Sequence, residues 1–150
     1  MCTFTFKLNR MLEKSVILQR FNERCENTLM HTLDIEYIDL GEDFVVAQMP
    51  VNAKVHQPYG ILHGGATAAL AESVGSLASS YFIDTNKFLV NGIQLSINHV
   101  KSIREGMVTA TAKIIHKGRS THLWEIRVVN EAGELISICK LTNIILEKKS

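Results

Sequence analysis

The chain is poor in residues that interrupt or cross-link a fold. It has two prolines, Pro50 and Pro58, and no Ser/Gly-rich stretch, so nothing marks a linker between domains. Its 150 residues suit a single domain spanning 1–150. The three cysteines, Cys2, Cys25 and Cys139, lie at unrelated spacings and form no CxxC pair. A disulfide framework or zinc site is therefore not expected, and reduced thiols are. No apolar run approaches the roughly 20 residues needed to cross a bilayer. The start, Met1 to Lys7, lacks the charged segment and long apolar segment of a signal peptide. These absences predict a cytoplasmic protein without a membrane partner. A net charge of +1 also argues against nucleic acid, whose partners carry a basic excess.

Apolar residues make up 46% of the chain, enough for a real core. From Leu8 to Arg24 they recur at helical spacing, with Asn9 as a candidate cap. Residues 35–49 are rich in β-formers and are broken by Gly41-Glu42-Asp43, which reads as a hairpin. From Ala66 to Phe82 alanine and leucine dominate, and the polar residues are small except for Glu72. A helix apolar on nearly all sides is a buried helix. Four strand-like runs follow: 88–100, 107–116, 121–130 and 135–146. Their connectors are short, polar and glycine-containing, which favours sequential antiparallel pairing. The expected architecture is α+β: an antiparallel sheet of five or six strands wrapped around one long central helix, plus an N-terminal helix. Apolar sheet edges suggest pairing with another subunit.

The chemistry concentrates between Gln57 and Ser73. Gly64 and Gly65 let the backbone approach a ligand and open the helix. The first N–H groups of a helix lack internal partners and carry the positive end of its dipole, so they can hold a developing oxyanion. Glu72 follows Gly64 by two helical turns, about 12 Å of rise. A lone acid in an apolar helix needs either a function or a structural partner, such as Ser76 one turn on. His63 reads equally as a helix cap or core histidine, Gln57 carries no meaning alone, and the glycine pair could be only a tight turn. No His/Asp/Glu/Cys set has ligand spacing, so no metal is expected.

The stretch His63-Gly64-Gly65-Ala66, followed by Ala71-Glu72-Ser73, resembles the hotdog-fold thioesterases. The resemblance is to the 4-hydroxybenzoyl-CoA, 1,4-dihydroxy-2-naphthoyl-CoA and PaaI-like type and runs from about Leu8 to Leu146. It takes in Asn98-His99, Arg104-Glu105-Gly106, His116 to Ser120 and Trp124-Glu125-Ile126. It implies the hotdog fold and hydrolysis of an acyl- or aroyl-CoA, with coenzyme A as part of the substrate and no cofactor. It further implies a homodimer or a homotetramer built as a dimer of dimers, with active sites between subunits.

By the same resemblance Glu72 is nucleophile or general base, and the Gly64 N–H is the oxyanion donor. His63 and Gln57 position the thioester carbonyl. Ser73 and Ser76 orient the acyl group or the water, and Asn98-His99 lies near the pantetheine tunnel. Lys117, Gly118, Arg119 and Ser120 hold the nucleotide end, where cationic groups suit phosphates; the alternative is a solvated basic turn. Lys101 and Arg104 are weaker candidates there. Leu77, Tyr81 and Phe82 form either core or acyl pocket. Glutamate at position 72, rather than the aspartate usual in the PaaI branch, favours the hydroxybenzoyl and dihydroxynaphthoyl branch. Competing functions are an enoyl-thioester hydratase or dehydratase on the same fold, disfavoured by His63 directly before the glycines, and a non-catalytic acyl-CoA-binding module.

Overall fold

The structure, a computed structural model, describes residues 2–148, with side chains from residue 13 onward. The predicted apolar face of Leu8, Met11 and Leu12, the Cys2 thiol and the last two residues of the tail lie outside that description. The elements run α1 (Cys2–Glu23), a one-turn α2 (Leu29–Thr32), β1 (Glu36–Leu40), β2 (Phe44–Val51), a 3-10 turn (Ala53–Val55), α3 (Gly64–Tyr81), β3 (Phe88–His99), β4 (Gly106–Lys117), β5 (Thr121–Asn130) and β6 (Leu135–Glu147). Asn9 falls inside α1 and does not cap it.

All six strands join one antiparallel sheet in the order β1-β2-β4-β5-β6-β3. β4, β5 and β6 pair in sequence, as their short connectors predict. β3 does not: it pairs with β6 at the far edge. The segment from Val100 to Glu105 is a crossover to β4, although its polar Arg104-Glu105-Gly106 end reads locally as a hairpin turn. The predicted sequential pairing fails at this one connection, because β6 fills the place beside β5 that leads to β3.

The sheet packs one face against α3. Strict alternation puts Val45, Ala47 and Met49 of β2, Val108, Ala110 and Ala112 of β4, and Trp124, Ile126 and Val128 of β5 fully inside. Leu70, Ala71, Val74 and Ala78 of α3 meet them, also fully buried. Each large side chain buried in this way contributes about 1.5–3 kcal/mol. Alanines on β2 and β4 leave room for the helix. Gly75 does the same opposite Leu141, whose Cδ2 would lie 2.6 Å from a Cβ at that position. Cys25 and Cys139 are buried free thiols, and burial pushes Cys139 up to about 11, so it stays a thiol.

The two sheet edges differ. On β1 the Asn22 carboxamide of α1 occupies the Tyr37 backbone: Nδ2 donates to Tyr37 O at 3.0 Å, and Oδ1 accepts from Tyr37 N–H at 2.8 Å. Phe21 wedges beside it, edge-on to Tyr37 and Tyr81. Among the described residues no side chain occupies the β3 edge in this way, and Ile93 on it is 58% exposed.

Candidate active site

Helix α3 begins at Gly64 because His63 is extended (φ −70°, ψ 131°) and caps it. His63 Nδ1 accepts the Gly65 N–H at 2.8 Å, so its ring proton sits on Nε2. Ala66 and Thr67 donate to His63 O at 3.0 and 3.2 Å. Of the first four N–H groups of the helix, only that of Gly64 is left without an acceptor among the described residues. The histidine is thus the cap that one reading of the sequence allowed, and it leaves a single amide aimed out of the helix.

Gly64 opens on a cleft of about 250 Å³ lined by Gln57, Ile61, Gly64, Thr67, His99 and Ile103. The His99 ring packs so close to Gly64 that a Cβ there would lie 2.7 Å from Nε2, while His99 Nδ1 contacts Ser137 Oγ at 2.9 Å. The loop bearing Gln57 is pinned on several sides. Gln57 N–H donates to Ile61 O at 2.9 Å, and Gly60 takes a positive φ of 69°. Arg104 Nη1 donates to Tyr59 O and Gly60 O at 3.1 and 3.0 Å, and His56 Nε2 meets Arg104 O at 2.7 Å. Arg104, a weaker phosphate candidate by sequence, is therefore engaged as a loop clasp. Lys101, the other, is paired with Glu134.

Glu72 is not in this cleft. It sits two turns along α3, half-buried, with its carboxylate against the backbone of Gly92 on β3. It enters no ion pair among the described residues. Burial pushes its pKa above the ordinary glutamate value, and the Ser76 hydroxyl pulls it partly back. Such a carboxyl is poised nearer neutrality, where a base or nucleophile is most useful. Ser73 lies about 100° around the helix from Glu72, and its carbonyl accepts from Tyr37 OH at 3.0 Å. Asn98 lies beside His99 at the end of β3.

Beneath the Glu72–Ser76–Ser79 stripe of α3 runs a row of cross-strand neighbours: Gly92 on β3, Asn143 on β6, His122 on β5 and Lys117 on β4. Ser79 Oγ accepts from Trp124 Nε1 and Asn143 Nδ2, both at 2.8 Å. Its own proton must then go to His122 Nδ1, 3.0 Å away, leaving Nε2–H for the Gly118 backbone. Burial, with Lys117 and His116 nearby, pushes His122 below the usual imidazole range, so it is neutral at pH 7. Alternation along 121–130 puts His122 and Trp124 on one face of the strand, and nothing else of this network shows in the residues alone.

The row ends at the turn of Lys117, Gly118, Arg119 and Ser120, where Gly118 N–H donates to Thr121 O at 2.9 Å. Lys117 Nζ lies 4.5 Å from the ring centre of Phe82, which stacks in turn on Trp124. Phe82 and Leu77 are partly buried and pack against the core, whereas Tyr81 is exposed. The turn is exposed at Lys117, Arg119 and Ser120. No metal-binding group of His, Cys, Asp or Glu occurs, and no helix is long and apolar enough to cross a membrane, among the described residues.

Known proteins are similar to this chain in sequence and in fold. The family model of the thioesterase superfamily matches residues 59–137. The 1,4-dihydroxy-2-naphthoyl-CoA hydrolase of Escherichia coli is 37% identical over 134 residues, 89% of this chain and 98% of that protein. A mutant thioesterase from Pseudomonas aeruginosa has a crystal structure that superposes with a TM-score of 0.86 at 37% identity, covering 87% of this chain and 94% of that one. A thioesterase from Haemophilus influenzae superposes at 0.84 with 38% identity, covering 87% and 90%. With its six-stranded antiparallel sheet around α3 and these relatives along most of its length, the chain belongs to the thioesterase superfamily and carries its hotdog fold.

Proposed function

We propose that the protein hydrolyses an acyl- or aroyl-coenzyme A thioester to the free acid and coenzyme A. The observation that carries this reading is the helix α3 itself: one unpartnered amide at Gly64 at its start, and one carboxylate of raised pKa, Glu72, two turns on. A thioester needs little more. Its carbonyl is electrophilic and its thiolate leaves readily. Glu72 either attacks the carbonyl carbon, expelling the thiolate and leaving an anhydride that water opens, or takes a proton from a water that attacks instead. In both routes the Gly64 N–H receives the oxyanion. Gln57 and the Nε2–H of His63 orient the carbonyl, and Ser76 and Ser73 orient the acyl group or water. Asn98 and His99 flank the pantetheine, and Lys117, Gly118, Arg119 and Ser120 bind the nucleotide phosphates.

Gly64 and Glu72 are about 12 Å apart along one helix, too far to share a carbon within one chain. Two chains resolve this. α3 runs antiparallel to β3, with Gly64 beside His99 and Glu72 beside Gly92. Antiparallel pairing of two uncovered β3 edges, centred between Leu95 and Ser96, sets Gly92 of one chain opposite the partner's His99. That brings Glu72 toward the partner's Gly64, twice over in a homodimer. A homotetramer follows if two such dimers associate.

The naphthoyl-CoA hydrolase likeness favours an aromatic acyl group. A free-thiol assay with benzoyl-CoA, a naphthoyl-CoA and a medium-chain acyl-CoA tests the reading. Thiol release that falls at least ~100-fold in Glu72→Ala is the expected result. Unchanged turnover in that variant removes the assigned role. Water addition to an enoyl-CoA without thiol release would favour a hydratase, and binding without turnover a non-catalytic module.

A further inference from the structure

Thr67 lies one turn into α3 and is only 1% exposed. Among the described residues its hydroxyl has no hydrogen-bond partner. A threonine inside a helix ordinarily turns its hydroxyl to the carbonyl four residues back. Here that carbonyl is His63 O, and its two lone pairs already receive the N–H groups of Ala66 and Thr67, at 3.0 and 3.2 Å. No side-chain oxygen or nitrogen sealed from solvent lacks a partner among the described residues. The Thr67 hydroxyl therefore touches open space, and Thr67 lines the cleft onto which Gly64 opens.

Two polar groups without partners thus share one cleft. Thr67 follows Gly64 by three residues, about 4.5 Å of rise. Helix side chains lean toward the N-terminus, so the hydroxyl reaches back toward the level of the Gly64 amide. Ile61, Leu62, Ile103 and Ile136 make up much of the remaining wall. Against such an apolar wall a hydrogen bond to developing charge is worth more than in water. Packing alone gives no reason for the oxygen: valine has the same branched shape and leaves no hydroxyl unpaired.

We propose that Thr67 is a further catalytic residue, whose Oγ1–H donates to the thioester carbonyl oxygen beside the Gly64 N–H and completes the oxyanion hole. The inference rests on the thioesterase reading and on the proposed role of Gly64. When the carbonyl carbon becomes tetrahedral, the C=O π electrons move onto oxygen, which then accepts from the amide and the hydroxyl together. When the thiolate leaves, those electrons return to the carbonyl. The hydroxyl keeps its proton throughout. Its bond strengthens as charge develops, so its loss falls on kcat and not on KM.

The test compares wild type, Thr67→Val and Thr67→Ser by thermal melting and by kcat and KM for thiol release from the best acyl-CoA substrate. Thr67→Val is expected to melt no lower than wild type, yet to lose kcat at least ~10-fold with KM within about 2-fold. Thr67→Ser, which keeps the hydroxyl and loses the methyl, is expected to melt lower and to keep kcat within about 3-fold of wild type. Should Thr67→Val not fold, Thr67→Ala is set against Thr67→Ser, since these two differ only in the hydroxyl, and the same ~10-fold gap in kcat is expected. Binding of an alkyl-CoA thioether, which has a methylene in place of the carbonyl, is expected to be alike in wild type and the variant without the hydroxyl. Full kcat without the hydroxyl overturns the inference, as does thioether binding weakened as much as kcat, which would place the hydroxyl on another part of the substrate. Either result leaves the thioesterase reading intact. Absence of thiol release from every thioester by the wild type overturns both.

Discussion

The Glu72 carboxylate lies directly against Gly92: a Cβ at that glycine would overlap Oε1 and lie 2.8 Å from Cδ. Glycine in a strand weakens it and has to be explained by what approaches the backbone. Here the approaching group is the proposed nucleophile or base. Gly92 also sits at a register irregularity of β3, between Gly92 and Gln94. The helix and the edge strand thus set the carboxylate together.

Gly92→Ala should fold, because the atoms it displaces are the far end of a flexible side chain. It should lower kcat by about 10-fold or more, equivalent to ~1.4 kcal/mol of transition-state stabilisation, with KM little changed. Steady-state thiol release beside a melting curve checks this. Activity within 2-fold of wild type would show that the carboxylate can work from another position.

The Gly64 amide can be deleted without rebuilding the helix. Proline is favoured at the first helical position, and His63 already has the extended conformation that proline requires before it. The His99 ring occupies the space a side chain needs, so the comparison is Gly64→Pro with His99→Ala against His99→Ala alone. Loss of an oxyanion donor predicts a further 10²–10³-fold fall in kcat, roughly 3–4 kcal/mol. Equal rates in the two variants would assign the oxyanion to another donor.

The raised pKa of Glu72 also has a consequence for stability. The folded protein holds the Glu72 proton to higher pH than the unfolded chain does, so folding is favoured by that proton. Stability from this group is complete below the unfolded-state glutamate pKa, falls as pH rises toward the folded pKa, and stays reduced above it. Glu72→Gln should therefore raise the melting temperature at pH 7 and leave it nearly unchanged near pH 4. A variant less stable than wild type at pH 7 would mean that the carboxylate has a partner which the single chain does not contain.

Arg119→Ala should raise KM for acyl-CoA several-fold more than KM for the matching acyl-pantetheine, since only the former carries the nucleotide phosphates. Parallel kinetics on the two substrates decide the matter. Equal changes would take the 117–120 turn out of coenzyme A binding.

Much of this architecture could be read from the residues. The alternation of residues 121–130 puts His122, Trp124, Ile126 and Val128 on one face of a strand, and the structure turns that face inward. α3 did so through its apolar run, and Glu72 stood out as the one long polar side chain within it. Its proposed catalytic role comes from the resemblance around His63-Gly64-Gly65, not from spacing. Three features stayed hidden. The 100–105 segment carries a local turn pattern, and only the competition of β6 for the place beside β5 makes it a crossover. Gly92 looks like any glycine in a strand until the carboxylate is placed over it. Asn143 shares the inward period of Leu141 and Ile145, which says that it is buried but not that Gly75, Ser79 and Ser76 meet it there.

The Asn22 carboxamide on Tyr37 finally bears on how large the molecule's sheet can become. Strands polymerise when both rims of a sheet accept newcomers, as in fibrils. This sheet has one rim sealed by its own helix and one open. Two copies joined at their open rims present only sealed ones to solution, so growth by strand addition stops at two.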